Sequence, residues 1–162
     1  MATSTYSIGR DPSSFWGSIR WNRAIQAGLI VGAILFLLTR GIPWVGSGAI
    51  NPAIMGREVA PGREATPMFF FSIMALHFLV SVLYGLIIAP IVHGFRPWMA
   101  GLIGAVVGLV LYFISYAVAG MLIESAMTQR EWTPIILHLT FGLFCAETYK
   151  GMVRRRPAAP LM

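Results

Sequence analysis

The stretch PWMAGLIGAVVGLVLYFISYAVAGMLI, residues 97–123, decides the fold class, because it runs for 27 residues without a charged side chain. A helix needs about 20 apolar residues to cross the hydrocarbon core of a bilayer. Three further intervals also exclude charge: 24–39, 67–92 and 133–146. Backbone amides inside a bilayer must be satisfied within the chain, so such runs form helices or closed barrels. Barrel strands alternate polar and apolar residues, which these runs do not, so they predict helices.

The composition of the whole chain supports a membrane protein. Hydrophobic residues make up 57% of the sequence and charged residues 11%, whereas soluble domains carry about 25% charged residues. We predict an all-α membrane protein with an outer loop at 40–66, an N-terminal segment 1–23 that includes an interfacial amphipathic helix, and a basic tail at 154–162. The transmembrane domain is expected at 24–153, with four transmembrane helices over about 22–39, 67–92, 98–123 and 134–153. The first helix begins two residues before the domain because its charge-free run is short and needs flanking residues to span the membrane.

The net charge of +6 follows the positive-inside rule. With the N-terminus in the cytoplasm, eight basic residues lie on that side: Arg10, Arg20, Arg23, Arg96, Lys150, Arg154, Arg155 and Arg156. The opposite side holds four: Arg40, Arg57, Arg63 and Arg130. The distribution predicts two antiparallel hairpins with both termini cytoplasmic. It indicates contact with anionic lipid rather than with nucleic acid.

Three pairs of segments indicate an internal duplication of one hairpin. They are AGLI at 27–30 and 100–103, REATP at 63–67 and REWTP at 130–134, and His77 and His138. Their offsets are 73, 67 and 61 residues. A difference of six residues is about 1.7 helical turns, so the proline-containing caps and the histidines cannot both be equivalent.

Small residues four apart form stripes on the first and third spans. The candidate helix-packing residues are Gly28, Gly32, Gly101, Gly104, Ala105 and Gly108. Such stripes let helix backbones approach closely where lipid removes the hydrophobic incentive to associate. We expect them to form the packing seam, with the first span against the third. The alternative is that the glycines line a pore or a cofactor slot.

His77 and His138 are the candidate functional residues, because ionisable groups inside spans are costly to bury. One interpretation is that each makes a hydrogen bond between helices. A second is that they converge as axial ligands of haem b between helices, or join a metal site. A third is proton or ion handling. No dedicated metal site and no catalytic residue is predicted.

Near the cytoplasmic edge, other polar residues have simpler interpretations. Asp11 and Pro12 are typical of a helix start. His93 is expected at the interface, and Glu147 has the spacing to pair with Lys150 on one helix.

The order of several segments resembles a family of small bacterial four-span membrane proteins. These segments are the glycine-striped first helix, NPAIMGREV at 51–59, HFLVSVLYG at 77–85 and HLTFG at 138–142. The resemblance covers about 24–150 and implies no catalytic residues. Members are sometimes labelled sodium/solute symporters, but four spans are too few for the broken-helix inverted repeats of such transporters.

No nucleophile triad, Cys-x-x-Cys pair, Walker loop or dinucleotide motif is present, so we predict no enzyme. The leading hypothesis is a non-enzymatic accessory or structural subunit of a larger respiratory or photosynthetic complex in the bacterial inner membrane. Its partners would be lipid and other integral membrane proteins or further copies of itself. The alternatives are a bis-histidine haem b electron-transfer protein and a small oligomeric channel or carrier.

Overall fold

A computed structural model of the chain describes residues 14–41, 67–122 and 132–154, and regular structure in these ranges is entirely helical. The helices are α1 (Phe15–Ser18), α2 (Trp21–Gly41), α3 (Pro67–Val92), α4 (Pro97–Leu122) and α5 (Trp132–Arg154). The four long helices begin and end within two residues of the expected spans. The predicted Asp11 cap, most of the outer loop, and the basic tail beyond Arg154 lie outside the described residues.

Three helices contain a stretch that is long and apolar enough to cross a membrane. These stretches are Trp21–Leu38 in α2, Met74–Val92 in α3 and Pro97–Val118 in α4. In α5 the charge-free stretch covers only residues 132–146, after which Glu147, Lys150 and Arg154 follow. That stretch is shorter than the roughly 17 residues of a minimal span, so α5 does not qualify by composition alone.

A short break separates α1 from α2. Ser14 caps α1, because its Oγ accepts a hydrogen bond from the N–H of Gly17 at 3.0 Å. Ile19 is extended, with φ −72° and ψ 128°, and its side chain is only 1% exposed. The chain therefore turns into α2 at Trp21 with Ile19 inserted into the core.

The helices α2 and α3 pack so closely that glycine is required at the contact. A Cβ added to Gly28 would overlap the carbonyl oxygen of Ser81, and one added to Gly85 would lie 2.5 Å from the carbonyl oxygen of Ala24. A Cβ on Gly32 would lie 2.5 Å from the Ser81 Oγ. The contact partners advance in opposite directions along the two helices, so α2 and α3 are antiparallel.

The helices α4 and α5 form a second pair of the same kind, and their contact is the most extensive between any two described helices. A Cβ on Gly104 would overlap the carbonyl oxygen of Gly142, and one on Gly108 would overlap that of His138. In return, a Cβ on Gly142 would lie 3.0 Å from the Cα of Gly108. Backbone therefore lies directly on backbone in this pair as well.

The contacts align the two pairs residue by residue. Matching contacts relate Gly28 to Gly108, Ser81 to His138, and Gly85 to Gly142. The offset is thus 80 residues from α2 to α4 and 57 residues from α3 to α5. The same offset of 57 matches three further pairs of side chains, each at most 1% exposed: Ile88 with Cys145, Ala89 with Ala146, and Val92 with Tyr149.

These registers correct two of the offsets read from the sequence. AGLI at 27–30 corresponds to residues 107–110, seven residues beyond the expected match at 100–103, a shift of about two turns. His138 occupies the position of Ser81, and His77 that of Pro134, so the two histidines are not equivalent. The two corrections are shifts of seven and four residues, close to two turns and one turn of a helix. Such shifts keep residues on the same helix face, so the sequence segments match although their registers differ.

The expected packing of the first span against the third is also wrong for the glycine contacts. Gly28 and Gly32 face α3, whereas Gly104 and Gly108 face α5. The two helices joined by the tight turn at residues 93–96, α3 and α4, contact each other much less than either contacts its pair partner. Contacts of α5 with α2 and with α3 hold the two pairs together.

We expect Gly108→Ala to destabilise the bundle by about 1–3 kcal/mol, because the added methyl group overpacks a backbone contact. For a chain of this length, each 1 kcal/mol lowers Tm by about 2–4 °C. Gly151→Ala is the matched control, since a Cβ there meets nothing within 4 Å. Thermal unfolding of both variants in one detergent provides the measurement. Equal Tm values would contradict the close contact.

Candidate functional site

His77 is held within the α2–α3 pair. Its Nε2 lies 3.0 Å from the carbonyl oxygen of Gly32. A carbonyl can only accept, so Nε2 carries the proton and donates it. The ring lies against Phe36, with centroids 5.4 Å apart, and against Phe78 at 5.5 Å. Ser81 in turn donates from Oγ to the His77 carbonyl oxygen at 2.8 Å, so His77 is engaged at its ring and its backbone.

His138 lies in a different environment, formed by α3, α4 and α5. Its Nδ1 lies 2.8 Å from the carbonyl oxygen of Pro134, one turn earlier, so Nδ1 carries the proton. The imidazole faces two tyrosine rings, Tyr112 at 5.4 Å and Tyr84 at 6.0 Å between centroids. The Tyr84 hydroxyl is hydrogen-bonded to the hydroxyl of Ser115 on α4. This aromatic cluster joins one helix of the first pair to both helices of the second.

The structure does not bring His77 and His138 into contact with each other. His77 is bonded to α2, whereas the neighbours of His138 lie on α3, α4 and α5. The Nε2 of His77 would have to give up the Gly32 carbonyl before it could bind iron. The haem interpretation of His77 and His138 stays a prediction. Within the described ranges there is no group of three or more His, Cys, Asp or Glu residues placed to bind a metal ion.

A second polar cluster, the inner-end cluster, lies where α2 and α4 begin and α3 and α5 end. It comprises Arg20, His93, Tyr149 and Lys150. Tyr149 is fully buried, with its hydroxyl 2.8 Å from the Nδ1 of His93. Arg20 lies near the same hydroxyl. In this pair the tautomer of His93 decides whether the hydroxyl or the ring nitrogen donates.

The inner-end cluster fixes the turn between α3 and α4. The Lys150 Nζ donates to the carbonyl oxygen of His93 at 2.7 Å. The ring of Phe15, from α1, packs edge-on against the His93 imidazole with centroids 6.4 Å apart. One residue in the turn is therefore held by α5 through its backbone and its ring, and is covered by α1.

The surroundings of His93 favour the neutral imidazole. Burial lowers the pKa of His93 below its usual value, and the nearby Lys150 ammonium lowers it further. A neutral imidazole can still bond to Tyr149, because its Nδ1 either donates to the hydroxyl or accepts from it.

Sequence reasoning missed the inner-end cluster. It placed His93 at the interface and indicated a pair between Glu147 and Lys150. In the structure the Lys150 ammonium reaches across to the α3–α4 turn, and the Glu147 carboxylate packs against Gly101, where an added Cβ would lie 2.7 Å from Oε1. His93 and Tyr149 are 56 residues apart, and no local spacing indicates that they meet.

The chain matches no protein-family model, no curated protein and no solved structure. The family resemblance in its sequence motifs therefore stays a prediction, and the contacts within the bundle are the basis for any function.

We expect the stability of the protein to fall as the pH drops below about 6.5, the usual histidine pKa. Because the pKa of His93 is lower in the folded protein than in the unfolded chain, the unfolded chain binds the proton at a higher pH. The contribution of His93 is therefore present above pH 6.5 and is lost as the pH falls through the folded value. His93→Gln removes this titration. Tm values at about pH 7.5 and 5.5 test the difference. An identical loss of Tm in both proteins would contradict it.

Proposed function

We propose that this chain is a non-enzymatic four-span protein of a bacterial inner membrane that acts as an accessory subunit of a larger membrane complex. One observation carries the proposal. His77, Ser81, Tyr84 and His138 form hydrogen bonds inside the bundle, while large apolar side chains cover much of its outside. Among the described residues, no buried side-chain nitrogen or oxygen lacks a hydrogen-bond partner.

The side chains that could take part in chemistry are already hydrogen-bonded inside the bundle. His77 bonds to Gly32, Tyr84 to Ser115, and His138 to the carbonyl of Pro134. Hydrogen bonds between helices inside a membrane stabilise the association of the helices, and the bonds of His77 to Gly32 and of Tyr84 to Ser115 are of this kind. This use of the polar groups supports a packing role over a catalytic one.

The packing of α5 supports a fourth span. It lies antiparallel against α4 through Gly104, Gly108 and Gly142, with backbone against backbone. A helix in such close contact with a membrane-spanning partner would lie at the same depth. The charged end of α5 then falls beside His93 and the other residues of the inner-end cluster. Two antiparallel hairpins with both termini cytoplasmic are the topology that we propose.

The outer faces offer surfaces for neighbouring spans or lipid. On α4 the face opposite the glycine contacts is apolar and more than half exposed, and it comprises Leu102, Val106, Val110, Phe113 and Ile114. Large exposed apolar side chains also occur along α2 and α3. In a bilayer these faces would meet acyl chains, spans of a partner protein or a second copy.

The channel alternative has less support from the same contacts. A pore lined by the glycines would need Gly28, Gly104 or Gly108 to be open, but each is covered by a helix of the same chain. The haem alternative would need His77 to leave Gly32. Neither alternative is favoured by a specific contact.

We expect the protein, solubilised gently from its native membrane with an affinity tag, to run in a complex larger than a monomer. Other integral membrane proteins should accompany it, since its outer faces are apolar and its interior is closed. Native electrophoresis with identification of the bound chains provides the measurement. The same sample should lack a Soret absorption band. A monomer without partners would overturn the accessory role, and a Soret band would favour the haem alternative.

Reporter fusions at Met1 and Met162 test the topology. With both ends cytoplasmic, a reporter that is active only on the outer side of the membrane should be silent at both termini. A reporter that is active only in the cytoplasm should be active at both. The expected cause is the excess of basic residues at that end of the bundle. A control fusion in the outer loop, after Gly56, should give the opposite result. Opposite signals from the two termini would exclude the four-span arrangement.

A further inference from the structure

The inner end of the bundle carries positive charge with little compensation. Five basic residues with described side chains lie there: Arg20, Arg23, Arg96, Lys150 and Arg154. Across the described ranges the single acidic residue is Glu147, and its carboxylate packs against Gly101 of α4. The surface at this end therefore attracts anions, and its field does not depend on the basic residues of the tail.

Part of this charge is held in place. The Lys150 ammonium donates one of its three N–H groups to the His93 carbonyl oxygen, which fixes its position. The other two N–H groups are left for an anion. Arg154 follows Lys150 by about one turn of α5, and Arg20 lies between the buried Ile19 and the start of α2. The backbone of Arg20 is fixed at the start of α2, where its carbonyl oxygen accepts from the N–H groups of Arg23 and Ala24. Less conformational entropy is lost on binding when the cations are already positioned.

Aromatic side chains border the same end. Trp16 and Trp21 are stacked, with centroids 6.1 Å apart and an interplanar angle of 9°. Trp16 is 62% exposed and Phe15 is 53% exposed. Tryptophan favours the headgroup level of a bilayer, where its ring meets acyl chains and its N–H meets water. The cations therefore lie at the depth where lipid phosphates are found.

We propose that Arg20, Lys150 and Arg154 form a binding site for the phosphate of an anionic phospholipid headgroup, bordered by Trp16. This rests on the proposed membrane function and adds a ligand class to it. A lipid is favoured over a free phosphate because the exposed aromatic and apolar surface beside the cations suits acyl chains. Clusters of basic residues next to a membrane attract anionic lipids by their charge.

The test uses the full chain, purified in neutral detergent and supplied with phosphatidylglycerol, phosphatidylcholine or inorganic phosphate. We expect phosphatidylglycerol to raise Tm by about 2–4 °C, the usual size for one weakly held ligand on a chain of this length. Phosphatidylcholine and inorganic phosphate should give less than half of that shift. High salt should reduce the effect, since the attraction is screened.

Two variants locate the site. The double substitution Arg20→Gln and Lys150→Gln should abolish the phosphatidylglycerol shift, measured relative to the Tm of the same variant without lipid. Arg40→Gln removes one positive charge at the opposite end of α2, as many as Arg20→Gln alone, and should keep the shift. If the double variant does not fold, Arg20→Gln alone, at an exposed position, should at least halve the shift.

Three results would overturn the proposal: a shift retained by the variants, an equal shift with phosphatidylcholine, or an equal shift with inorganic phosphate. The last would assign the cations to a soluble anion. The topology fusions are independent of this test. A protein that spans the membrane four times without preferring anionic lipid would refute the lipid site alone.

Discussion

The direct contact of helix backbones at glycine is the constraint on which the rest of this structure depends. Lipid gives little hydrophobic reason for two spans to associate, so close packing and hydrogen bonds must supply it. Gly28 lies on the Ser81 carbonyl, and Gly108 on that of His138. Side chains at these points would separate the helices, and the hydrogen bonds between them would lengthen.

The contacts also decide which polar residues meet. Because α2 lies so near α3, the Gly32 carbonyl is within reach of the His77 ring. Gly32 also lies against Ser81. In the other pair Tyr112 occupies the position of Gly32 and His138 that of Ser81, and these two residues form an aromatic contact. The two pairs thus share a backbone arrangement and differ in their polar chemistry.

The all-helical fold was predicted from the charge-free runs and is confirmed for the described residues, three of whose helices have the length and apolarity of membrane spans. Register was harder to predict. Residues one or two turns apart lie on the same helix face, so AGLI at 27–30 matches 100–103 in sequence although its contacts match 107–110. The hydrogen bond between His93 and Tyr149 depends on how the helix ends are arranged. Neither the composition nor the periodicity of the sequence predicts it.

The break between α1 and α2 limits how this chain can change. Ile19 is buried and the carbonyl of Arg20 is hydrogen-bonded to the first turn of α2, so the connection has no spare length. One residue inserted into this extended connection would lengthen it by about 3.3 Å and would move Phe15 away from the imidazole that it covers. Insertions at this point should consequently be rare among relatives of the protein, even where the residues themselves are freely exchanged.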